Sequence, residues 1–147
     1  MPFRFRFQRI LEIREHKEEV LRGELAEARR RLSQQEQLVE RIKKAHLDCL
    51  DELRQRKKKG IFPEEIRWYQ RYLNKLLLDI AAAEGKQESL SKEVEAARER
   101  LVKASQDRRI MERLKERALE RYKEEEALKE QNFLDELGIA IHHRRQE

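Results

Sequence analysis

Apolar residues along the first 59 positions recur at alternating spacings of three and four. One line runs Phe7, Leu11, Leu21, Leu25, Ala28, Leu32, Val39, Ile42, Cys49 and Leu53, with Arg14, Glu18, Gln35 and His46 filling its gaps. That spacing is a heptad seam containing polar layers. Arg14 and Glu18 predict a weaker start near the N-terminus. Gly23, inside the pattern, costs about 1 kcal/mol relative to alanine. A second, cleaner line runs Ile66, Tyr69, Leu73, Leu76, Ile80, Ala83, Gln87, Leu90, Val94, Ala97, Leu101, Ala104, Arg108 and Met111. Only Gln87 and Arg108 are polar in it. The stripe continues less regularly through Leu114, Ala118, Tyr122 and Leu128 towards Phe133 and Leu137.

Between the two lines the pattern stops at Lys57-Lys58-Lys59-Gly60-Ile61-Phe62-Pro63. Lysines suit the negative end of a helix dipole, and Gly60 suits the left-handed residue that ends a helix. Pro63 fits the first position of a new helix, and Glu64 and Glu65 suit its first turn. The pattern predicts an all-α fold: two long helices forming an antiparallel coiled-coil hairpin, the second longer and overhanging. As boundaries it gives one coiled-coil domain over 1–147, with a helix over about 3–58, a turn at 59–63, a helix over about 64–137 and a basic tail at 138–147. At 1.5 Å per residue the helices would span roughly 80 and 110 Å. A short turn forces antiparallel neighbours, so residue i is expected beside residue 123−i.

Composition agrees with long helices. Charged residues make up 44% of the 147 and aromatics 6%, with four glycines and two prolines. High charge with few aromatics also describes disordered chains, but periodicity favours helix. The formal charge of +5 is a small excess of 35 basic over 30 acidic residues. Mixed signs are what solvated helix faces carry, and they do not point to nucleic acid. A single cysteine, Cys49, allows no disulfide framework within the chain and suggests a reducing compartment. No apolar run approaches the roughly 18–20 residues of a membrane span. Met1 to Phe7 lacks a continuous apolar leader core. A cytoplasmic protein without direct membrane insertion is expected.

No constellation points to catalysis. There is no glycine-rich phosphate loop, no His-Glu-x-x-His and no cysteine pair. His142 and His143 are adjacent and so do not share a helix face; no metal and no cofactor are expected. A two-helix fold offers no concave pocket to desolvate a carboxylate pair. Cys49 sits on the seam as a small apolar residue.

Two features point to protein partners instead. Trp68, Tyr69 and Tyr72 cluster just past the turn. Tyr69 belongs to the seam, whereas Trp68 and Tyr72 are displaced about 100° from it. They either wrap over the loop around Phe62 or form an exposed docking patch, since Trp and Tyr are favoured hot-spot residues. The basic groups are Arg4, Arg6 and Arg9, then Lys57 to Lys59, then His142-His143-Arg144-Arg145. They serve as helix-end charge or as an electrostatic contact with an acidic partner.

The run Phe3-Arg4-Phe5-Arg6-Phe7-Gln8, then Ile10-Leu11 and a helix through Glu24-Leu25-Ala26-Glu27-Ala28, resembles the flagellar export protein FliJ family. Gly60-Ile61 and Tyr69-Gln70-x-Tyr72-Leu73-x-x-Leu76 are similar to that family's second-helix start. The resemblance covers essentially the whole chain. It implies a component of the flagellar type III protein export apparatus: a stalk resembling that of rotary ATPases. Its implied partners are the export ATPase hexamer, the cytoplasmic domain of the FlhA export gate and the export chaperones. It also implies a cytoplasmic protein at the periphery of the inner-membrane export apparatus.

For the gate the resemblance implies a surface near the turn: Tyr72 and Leu76, with Asp79 and Ala83 beyond them, and on the first helix Leu38, Ile42, Ala45 and Cys49. Asp79 departs from the small apolar residue expected there. Trp68 is added from the aromatic cluster. For the ATPase ring the candidates are Arg4, Arg6, Arg9, Arg121, Tyr122, Arg144 and Arg145. Ile42, Cys49 and Leu76 also fall on the seam, where they would be core. The alternatives are a self-associating coiled-coil scaffold, a nucleic-acid-binding helical arm and, last, an enzyme.

Overall fold

A computed structural model describes residues 2–146. Among them there are two helices and no strand: α1, Gln8–Lys59, and α2, Pro63–Gln146. The chain divides into two compact units, Val20–Leu101, and Met1–Glu19 with Val102–Glu147. Each contains a stretch of α1 packed antiparallel to a stretch of α2.

The unit Val20–Leu101 contains the turn. Gly60 has φ 99°, a left-handed conformation that costs a side-chain-bearing residue strain. Pro63 opens α2, where a missing N–H costs nothing. The Phe62 carbonyl accepts the amides of Glu65 and Ile66 at 3.0 and 3.2 Å, closing the first turn. Arg56 reaches across the turn to Glu65 at 2.5 Å.

Two apolar clusters hold this unit. Next to the turn, Cys49, Leu53, Tyr69, Leu73 and Leu76 are buried together, with Ile42, Ala45 and Ile61 packed against them. Farther along, Leu25, Ala28 and Ala97 are buried, flanked by Val94 and Leu101. Alanine on both helices allows their backbones to approach closely. Between the clusters, Gln35 is only 6% exposed. Its side-chain amide donates to the Ala83 carbonyl at 2.9 Å, satisfying a polar layer that the seam pattern showed only as an interruption.

In the unit carrying both termini, Leu11, Ala104 and Met111 are buried. Glu18 is 5% exposed. It accepts a hydrogen bond from the Arg108 guanidinium, which also donates to Glu112 at 2.6 Å. Arg14 donates to the Asp107 carbonyl at 2.8 Å. The polar residues that predicted a weak start are therefore paired across the helices.

Both helix boundaries in this unit differ from those read from the pattern. The first helix begins at Gln8 rather than near residue 3. Phe3-Arg4-Phe5-Arg6-Phe7 alternates with a period of two, which suits extended chain, and the backbone there is not helical. The second helix does not stop at 137. It passes through Gly138 and takes in the basic tail as far as Gln146. One glycine costs a helix only about 1 kcal/mol, and no proline follows it.

Candidate partner-binding surfaces

The first surface lies on the unit with the turn. The Trp68 and Tyr72 rings stack, with centroids 5.6 Å apart and planes 8° apart. This is the i, i+4 geometry of one helix face. Trp68 also meets Tyr69 edge-on at 5.2 Å. Tyr69 is anchored in the seam, and its hydroxyl donates to the Glu52 carboxylate at 2.9 Å. Burial, and then that carboxylate, push its pKa above the ordinary tyrosine value. The outer two rings stay in solvent: Trp68 is 60% exposed and Tyr72 37%. Phe62 is also exposed. The cluster thus presents an apolar face of stacked rings on a buried base.

The gate-side candidates do not all share that face. Tyr72, Trp68, Leu38 and Asp79 are exposed. Leu76, Cys49 and Ala83 are buried in the seam, and Ile42 and Ala45 pack against the cluster beside the turn. Burial, and secondarily Glu52, raise the Cys49 thiol above its ordinary pKa and keep it neutral.

The second surface belongs to the unit with the termini. The non-helical segment Pro2–Phe7 lies against α2 and frames a groove of about 670 Å³, walled on the far side by Leu114, Arg117, Ala118, Arg121, Tyr122, Glu125, Glu126 and Lys129. Phe3 packs on Tyr122 with ring centroids 5.5 Å apart. Phe5 meets Phe7 edge-on at 5.9 Å, and the Arg6 guanidinium sits 5.5 Å from the Phe7 ring centre. Alternation turns Phe3 and Phe5 inward, where they are half-buried, and leaves Arg4 and Arg6 exposed.

Of the ring-side candidates, Arg4, Arg6, Arg121 and Tyr122 come together at this groove. Arg9, Arg144 and Arg145 are exposed but do not line it. Arg117 is a groove residue that the sequence pattern did not single out, and Phe3 and Phe5, which carry the family resemblance but are not among the site candidates, are half-buried groove residues. The period-two alternation was the signal for the phenylalanines. No described group of three or more His, Cys, Asp or Glu residues could hold a metal ion. No described helix is long and apolar enough to cross a membrane.

The model of one protein family, flagellar FliJ protein, matches residues 3–147. The chain belongs to the FliJ family. Its fold is also similar to that of CT670 from Chlamydia trachomatis, a protein described as a candidate YscO homolog. The two superpose with a TM-score of 0.55 at 21% identity, covering 99% of this chain and 100% of the other. No curated protein sequence matches. FliJ membership makes the chain a component associated with flagellar type III protein export. In a FliJ protein the two exposed surfaces, one beside the turn and one at the termini, become the places to look for apparatus partners.

Proposed function

We propose that this FliJ-family chain is a non-catalytic stalk and adaptor of the export apparatus. The family match over residues 3–147 carries the reading. Its terminal unit binds the export ATPase ring through the basic groove of Arg4, Arg6, Arg121 and Tyr122, with Arg9, Arg144 and Arg145 adding charge. Its turn unit docks the cytoplasmic domain of FlhA through Trp68, Tyr72 and Leu38, while Leu76 and Ile42 support that face from within the seam. The same chain assists the recycling of export chaperones and works at the cytoplasmic periphery of the inner-membrane apparatus. Exposed, ring-stacked aromatics support the docking assignment, because such side chains bury a large area at little entropic cost. Exposed arginines beside an apolar groove support electrostatic recognition of an acidic partner.

Binding of the purified chain to purified export ATPase and to the FlhA cytoplasmic domain tests this. Removing residues from about 120 onward is expected to weaken ATPase binding and spare the gate. Tyr72→Ala is expected to weaken gate binding by about 1–2 kcal/mol and spare the ATPase. Equal loss of both partners on truncation, with the helical signal of the remainder intact, refutes the assignment.

A further inference from the structure

Every described residue of α2 from 123 to 146 is exposed, yet this stretch is not uniformly polar. Phe133, Leu134, Leu137 and Ile141 follow one another at helical spacing and share one face. They are 59%, 53%, 44% and 53% exposed. Four large apolar side chains in a row on a solvated helix amount to half of a helix–helix seam.

Charge identifies the other half. Glu130 and Arg144 extend the same line, seven residues before and seven after Leu137. Seven residues are close to two helical turns, so both lie near Leu137's face, about 10 Å to either side of it. The surroundings repeat this polarity. Residues 124–136 carry six acidic side chains and one lysine, whereas 142–145 read His-His-Arg-Arg. A stripe centred on a leucine, acidic towards one end and basic towards the other, is complementary to itself after a half-turn.

We propose that this stripe is an interface between two copies of the chain, paired antiparallel about Leu137, with Arg144 of each copy facing Glu130 of the other. The arrangement is isologous, so each contact occurs twice. A parallel pairing would set Glu130 against Glu130 and Arg144 against Arg144, and the repulsion of like charges disfavours it relative to the antiparallel one. The pairing covers the apolar face in the free chain. A partner that takes the same stretch of α2 then competes with self-association by mass action. Self-association is a property of the purified chain alone and does not depend on any assignment of export partners.

Sedimentation equilibrium of the full chain over roughly 10–300 μM tests it, a range set by the micromolar affinity expected of a small interface. The weight-average mass is expected to rise with concentration from 17.9 kDa towards twice that value. Glu130→Arg and Arg144→Glu should each weaken association roughly tenfold, because the two-fold axis turns two attractive contacts into two repulsive ones. The double variant Glu130→Arg/Arg144→Glu should restore it. Both positions are exposed, so the helical circular dichroism signal of each variant should match that of the wild type. A wild-type chain that stays at 17.9 kDa throughout overturns the proposal and leaves the stripe to a different partner. Failure of the double swap to recover association overturns the antiparallel pairing.

Discussion

Ala97 is 2% exposed and packs against Leu25 and Ala28, where small side chains on both helices face one another. Replacing it with leucine adds three carbons. If the layer could open, those carbons would contribute up to about 2.4 kcal/mol of apolar burial at about 0.8 kcal/mol each. An alanine-on-alanine layer cannot open without separating the backbones that the neighbouring layers hold together. Overpacking should therefore decide the sign, and Ala97→Leu is expected to destabilise by about 1–3 kcal/mol. Ala96 is one residue away on the same helix and exposed. Ala96→Leu carries nearly the same helix propensity change and should stay within about 0.5 kcal/mol of wild type. Urea unfolding followed by far-UV circular dichroism measures both. Leu25→Ala alone should cost about 2–5 kcal/mol, and Ala97→Leu/Leu25→Ala should cost less than the two single changes combined, because the added volume occupies the vacated space. An Ala97→Leu protein as stable as Ala96→Leu, or more stable than wild type, refutes the close-packed alanine layer.

Two further outcomes follow from the cluster beside the turn. Cys49 is buried with its pKa raised above 9.0, so in the native protein it should react with a thiol reagent near neutral pH only as fast as the helices open. A rate equal to that of the urea-unfolded chain refutes its burial. Tyr69 has its pKa raised above 10.0 by burial and by Glu52. A raised folded-state value means that its contribution to stability is complete below pH 10 and is lost as the pH climbs through that folded value. The urea midpoint should therefore fall as the pH rises above 10, and Tyr69→Phe should flatten the fall; an unchanged slope in Tyr69→Phe removes Tyr69 as its source.

Alternation of threes and fours is enough to place nearly every buried residue on its line. Leu11, Leu25, Val39, Leu53, Leu73, Ala83, Ala97 and Met111 are all seam positions and all buried. The turn is equally legible, because Gly60 and Pro63 act through their own backbone preferences. A short turn then leaves an antiparallel neighbour as the only compact arrangement, and Tyr69 beside Glu52 and Gln35 beside Ala83 follow from it. Periodicity and backbone preference are local properties. The order of residues alone therefore sets which face each helix buries and where the chain reverses.

What a polar seam residue does depends on what stands opposite it, and that is a matter of tertiary packing. Glu18 and Gln35 interrupt the pattern as if they were defects, yet Arg108 stands across from the one and the Ala83 carbonyl across from the other. The same holds for residues that lie both on the seam and on a docking face. Leu76 and Tyr72 differ by four positions, yet the opposing helix buries Leu76 and leaves Tyr72 in solvent. The phenylalanines at the N-terminus follow a local alternation, but their groove exists only because α2 brings Tyr122 beside Phe3. Burial is a property of two surfaces, and a sequence pattern describes one at a time.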